Sequence, residues 1–127
     1  MKVWHFGGEV ECESVDELES ILNMRYGIGV NEFQISGNED YPYLSVLVND
    51  CYAFIAFFPK EEDFILQSIG TDTKLNPDEM STFYIGTPTE TTEVWNEFVV
   101  QFSKAKEVAI EFFTSLSLPA CIEWSKQ

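Results

Sequence analysis

Arginine is almost missing from this sequence: Arg25 is the one arginine among 7 basic residues, set against 22 acidic ones, for a net charge of −15. A protein that holds nucleic acid neutralises phosphates with clustered lysine and arginine; the lack of any such cluster argues against nucleic acid as a partner. Histidine is as scarce. Any His-dependent triad would rest on His5, which sits between Trp4 and Phe6 and reads as a half-buried strand or edge residue. The three cysteines, Cys12, Cys51 and Cys121, are odd in number and show no paired metal spacing, so they read as reduced, partly buried thiols. There is no His pair and no CxxC, and "GTDTKLNPDE" (70–79) lacks the spacing of a calcium loop, so no metal is expected. "FGG" (6–8) is too short, and too acidic downstream, to cradle a phosphate, and no cofactor is expected either. No apolar run approaches the roughly 20 residues of a membrane span. The N-terminal "MKVWHFGGEVECES" lacks the apolar stretch and cleavage pattern of a signal peptide, so the expected location is the cytoplasm, without a membrane partner.

What the chain does have is apolar and acidic residues. With 127 residues, 45% of them hydrophobic, one domain over 1–127 with a single core is expected, needing neither disulfide nor metal. The acids gather in "EVECESVDELE" (9–19), "NED" (38–40), "KEED" (60–63), "PDE" (77–79) and "ETTEVWNE" (90–97). One reading makes them solvated faces that keep the protein soluble; the other makes them a docking surface that steers a basic partner into place. Among so many carboxylates some pair lies close by chance, so Glu61, Glu62 and Asp63 carry no catalytic information by themselves. The sequence gives no positive support for an enzyme.

The pattern of elements is a strand, a helix, several strands, a second helix and a last strand. Residues 3–12 alternate as one strand with Glu9, Glu11 and Glu13 on one side and Val10 and Cys12 on the other. Ser14 and Glu17 form a capping box, followed by a helical face of Val15, Leu18, Ile21, Leu22 and Arg25, which Gly27 and Gly29 stop. "NEFQIS" is a short strand. "YLSVLV" and "CYAFIAFF" flank Asn49–Asp50 as the arms of a hairpin with a type I′ turn, and the second arm, apolar on both faces, belongs at the centre of a sheet. "FILQSIG", "STFYIG" and "EVWNEFVVQF" give three more strands. Ser103 is a candidate N-cap for a second helix whose Ala105, Val108, Ala109, Phe112, Phe113 and Leu116 share one face. Pro119 ends that helix and "CIEW" adds a strand. The expected fold class is α+β: a mostly antiparallel sheet of about six or seven strands covered by two helices, with a short C-terminal strand.

The capped acidic helix "ESVDELESIL", the hairpin "YPYLSVLVNDCYAFIAFF", the glycine-punctuated middle and the tail "AKEVAIEFFTSLSLPACIEW" together resemble immunity protein family 1 of bacterial polymorphic toxin systems. The tail is the most specific part: a helix ending in aromatics leads through a proline to an Ile-x-Trp strand, here Phe112, Phe113, Pro119, Ile122 and Trp124, all read as fold determinants. The resemblance runs from about Glu9 to Trp124, with no family signal in residues 1–8 or 71–79. It implies a non-catalytic inhibitor that binds a cognate toxin with a basic surface, often a nucleic-acid deaminase; the net charge of −15 penalises self-association, so a monomer is expected when free. On that implication the toxin-binding residues are exposed acids, Glu39, Asp40, Glu61, Glu62, Asp63 and Asp72, with Tyr41 and Tyr43 as aromatic anchors. Two further readings stand beside it: a small acidic α+β module that binds a ligand or peptide without catalysis, marked by a deep apolar pocket, and a hydrolase built on a carboxylate pair.

Overall fold

A computed structural model describes residues 1–60, 64–70 and 72–127. The stretch 1–12 forms two strands, not the single one expected. β1 (Lys2–His5) turns through Phe6–Gly7 into β2 (Gly8–Glu11), with His5 paired to Gly8 and Gly8 at φ 119°. A left-handed backbone suits glycine, which has no Cβ to clash.

Helix α1 (Val15–Leu22) starts as its sequence dictates: the Ser14 hydroxyl accepts from the Glu17 N–H at 3.1 Å, and the Glu17 carboxylate reaches back to the Glu13 N–H at 3.0 Å. It stops earlier than Gly27. Arg25 therefore lies beyond the helical face on which it was expected, and its guanidinium donates to the carbonyls of Leu22 and Met24 at 2.6 and 2.9 Å. The Leu22 carbonyl is one that the helix end leaves unpaired, and a cation there also suits the helix dipole. Gly27 (φ 55°) and Gly29 (φ 101°) instead shape the loop that folds Tyr26 back onto Val30.

β3 (Val30–Ser36), β4 (Tyr43–Asn49) and β5 (Tyr52–Phe58) follow. The β4–β5 register pairs Asn49 with Tyr52, so the two-residue turn is Asp50–Cys51, one position later than expected, and only Asp50 (φ 55°) is left-handed. A type I′ turn needs both central residues at positive φ, so that expectation is not met. β6 (Leu66–Ser68), β7 (Met80–Tyr84) and β8 (Thr91–Trp95) come next. "EVWNEFVVQF" is broken by a single 3-10 turn (Asn96–Phe98) before β9 (Val99–Gln101). The break has a consequence: β8 pairs with β7 in a separate two-stranded sheet, whereas β9 joins the main sheet beside β5.

Helix α2 (Phe102–Ser115) begins before Ser103, with Gln101 at the N-cap position and no side-chain cap. It ends at Leu116, in the left-handed region at φ 53°, whose N–H donates to the Phe112 carbonyl at 2.7 Å. Pro119 thus lies beyond the helix end and does not make it. β10 is Trp124–Lys126, so Cys121, Ile122 and Glu123 precede the strand that "CIEW" was expected to form.

The fold is α+β, as expected. The main sheet is antiparallel throughout, in the order β10-β6-β5-β4-β3-β1-β2, with β9 added to β5, which makes β5 central. Strand period two places Val3, Phe33, Ile35, Leu44, Val46, Val48, Ala53, Ile55 and Phe57 on one face, all buried. Against them pack Leu18, Ile21 and Leu22 of α1 and Ala105, Val108, Ala109 and Phe112 of α2. Phe112 meets Phe57 edge-on at 6.0 Å. Phe113, Ile122 and Trp124 are half-buried around this core; the Trp124 indole N–H donates to the Pro119 carbonyl at 2.8 Å, and Pro119 itself is buried. The Ala120 N–H donates to the Glu111 carboxylate, which ties the link to the helix before it. Cys12 is buried, Cys121 half-buried and Cys51 exposed, all as free thiols.

Candidate interaction surface

The second face of the sheet is only partly covered. Leu47 of β4 and Val99 of β9 pack there against Phe83 of β7, with Tyr52, Phe54 and Val94 around them, so the β7–β8 hairpin lies over one part of the sheet. Glu32 fixes its tip. That side chain is buried at 2% exposure, with one carboxylate oxygen accepting the Gly86 N–H at 2.8 Å and the other the Gln34 amide at 3.2 Å. A buried carboxylate is tolerated where such donors replace its lost water.

Beyond the hairpin the described residues leave the face open. Register aligns Glu9, Trp4, Gln34 and Ser45 in one row across β2, β1, β3 and β4, and Lys2, Ser36, Tyr43 and Phe58 in the next row, across β1, β3, β4 and β5. The loop between β3 and β4 brings Asp40 and Tyr41 over the edge of these rows, enclosing a concavity of about 430 Å³ with Trp4, Glu9, Gln34 and Tyr43. Its aromatic groups are held in place. Tyr43 stacks on Phe58 at 4.3 Å and 8°, and Tyr41 leans on Tyr43 at 5.4 Å. Burial, then Tyr41 and the Glu32 carboxylate, push the Tyr43 phenol above its ordinary pKa, so it remains a neutral hydroxyl at pH 7. Glu9 and Asp40 are exposed, and among the described residues neither carboxylate has a hydrogen-bond or ion-pair partner.

The expected binding residues that the structure describes do not form one patch. Asp40, Tyr41 and Tyr43 meet in this groove, and Glu39 stands next to it in a smaller depression with Pro42 and Leu116. Asp72 is elsewhere. Its carboxylate accepts the Gln101 N–H at 3.2 Å, and Gln101 pairs with Tyr52, at the end of β5 opposite Phe58. There the Asp72 carboxylate and carbonyl bond to Gln101, the N-cap residue of α2. Glu61, Glu62 and Asp63 lie outside the described residues. Sequence reasoning missed Trp4 and Glu9 as groove residues, although the signal was present: once Val3 and His5 face the core, Trp4 must face away.

His5 is buried on the core side, its ring near Tyr26 and Phe33, and its Nδ1 accepts the Gly7 N–H at 3.0 Å. Burial lowers its pKa, so the imidazole is neutral at pH 7. Among the described residues no group of three His, Cys, Asp or Glu side chains is placed to hold a metal ion. No helix among them is long and apolar enough to cross a membrane.

The architecture is thus an α+β sheet with helices on one face and an aromatic, acid-rimmed groove on the other. No protein-family model matches the chain. It is similar to a protein of Burkholderia cenocepacia (strain H111) described as a double-stranded DNA deaminase immunity protein, with 25% identity over 122 residues that make up 95% of this chain and 95% of that one.

Proposed function

We propose that this protein is an immunity protein: it binds a deaminase toxin of a polymorphic toxin system and neutralises it by occupying its surface, and performs no chemistry itself. The observation that carries the reading is the end-to-end similarity to the Burkholderia deaminase immunity protein, which spans both chains with no large segment left over. The physical chemistry is compatible. A deaminase that works on nucleic acid presents basic and aromatic groups to its substrate. A partner with a net charge of −15 is steered to those groups and competes with the phosphates for them. On this reading the protein acts in the cytoplasm as a monomer. Glu39, Asp40, Tyr41 and Tyr43 are its leading contact residues, joined by Glu61, Glu62 and Asp63, whereas Asp72 is already engaged at Gln101.

The test is co-expression with the product of a neighbouring deaminase-toxin gene. Growth should be restored, and the purified pair should form a complex that weakens as salt is raised. A toxin that remains fully lethal, with no complex by gel filtration, overturns the reading.

A further inference from the structure

We propose that the open groove on the outer sheet face seats an arginine side chain of the toxin partner; this rests on the immunity reading. The walls suit that group. Trp4, Tyr41 and Tyr43 offer ring surfaces, and the last two are braced against one another and on Phe58 at 5.4 and 4.3 Å. A guanidinium is planar, weakly hydrated and stacks on such rings, while its fork of N–H donors matches a carboxylate. Glu9 from β2 and Asp40 from the β3–β4 loop supply carboxylates on separate elements of the rim, with Gln34 as a further acceptor between them. Both acids are exposed and carry no ion pair among the described residues, so binding a cation there breaks no existing contact. Lys2 also lines the groove, but the Glu9 and Asp40 carboxylates outweigh it and leave the rim negative, which disfavours a phosphate and so turns the same aromatic groups away from nucleic acid. The chain holds its own arginine in a related way: the Arg25 guanidinium lies 4.3 Å from the centre of the Phe102 ring. A lysine ammonium is a more strongly hydrated point charge and uses less of this site.

The test uses a toxin that the wild-type protein neutralises and calorimetric affinities for groove and control variants. Tyr41→Ala should weaken the complex about 30-fold, the effect of a central interface residue. The pair Glu9→Gln and Asp40→Asn, at exposed positions where folding is undisturbed, should weaken it about tenfold and flatten its salt dependence. Glu19→Gln with Glu107→Gln on the helical side should change it less than twofold. Groove variants that bind like wild type, while the wild type still neutralises the toxin, overturn the groove assignment and leave the immunity reading intact. A tetra-arginine peptide should shift the Trp4 indole N–H resonance more than a tetra-lysine peptide does; equal shifts overturn the choice of arginine.

Discussion

Replacing Ser68 by alanine should destabilise this protein far more than the loss of one hydroxyl suggests. β5 carries two partners on one edge: β9 pairs with Tyr52, Ala53 and Phe54, and β6 pairs with Ala56 and Phe57. Ile55 stands at the changeover, where neither strand supplies a carbonyl. Its N–H donates instead to the Ser68 hydroxyl oxygen at 3.1 Å, and that hydroxyl donates onward to the Phe98 carbonyl at 2.8 Å. Ser68 is 0% exposed. Alanine fits the space without a large cavity but leaves a buried N–H and a carbonyl unpaired, each at a cost of about 1–3 kcal/mol. Because the Phe98 carbonyl is only partly buried and regains some water, a total of about 3 kcal/mol is expected. For a chain of this size that corresponds to a fall in Tm of about 10 °C. Urea unfolding followed by far-UV circular dichroism gives the free energy, and hydrogen exchange gives the local effect, which should be fastest at the Ile55 amide. A loss below about 0.5 kcal/mol, with Ile55 still protected, would show that the hydroxyl does not bridge the changeover.

Gly70→Ala should be damaging in the same region: a Cβ at Gly70 would lie 1.8 Å from the Val99 carbonyl oxygen, while the Gly70 N–H donates to Glu97 at 2.7 Å, so the backbones would have to part. The expected cost is at the top of the roughly 1–3 kcal/mol range for overpacking, read as a lower urea midpoint at unchanged slope; a variant as stable as wild type would refute the close approach. His5 should make stability depend on pH. Its folded pKa lies below the unfolded value of about 6.5, so the unfolded state binds the proton first; stability is complete above that pH and declines as pH falls through it. Tm between pH 7.5 and 5.5 should fall more steeply in wild type than in His5→Gln, and parallel profiles would refute the assignment.

Local sequence determined the elements whose signals are self-contained. The Ser14–Glu17 box started α1, the apolar stripe of α2 was legible from Ala105 to Phe112 although Leu116, expected on it, lies past the helix end and is exposed, and the doubly apolar second arm of the hairpin identified β5 as central, because each depends on neighbours within a few residues. Where elements end, and with whom they pair, was decided by tertiary contacts. "EVWNEFVVQF" reads as a single strand in the sequence, yet Asn96 is buried and bonded to the carbonyl of Asn76, and the strand breaks there to serve two sheets. Arg25 could be read as part of a helical face until Leu22 was found to be the last residue of α1. The groove divides in the same manner. Asp40, Tyr41 and Tyr43 were visible as an acidic and aromatic stretch, but Trp4 reaches it only through the β1–β3 pairing with Gln34, far along the chain, and brings Glu9 with it across the β1–β2 hairpin. Composition set the charge of this surface; only the folded sheet decided which carboxylates stand beside aromatic rings, as at Asp40, and which, like Asp72, hold the scaffold together.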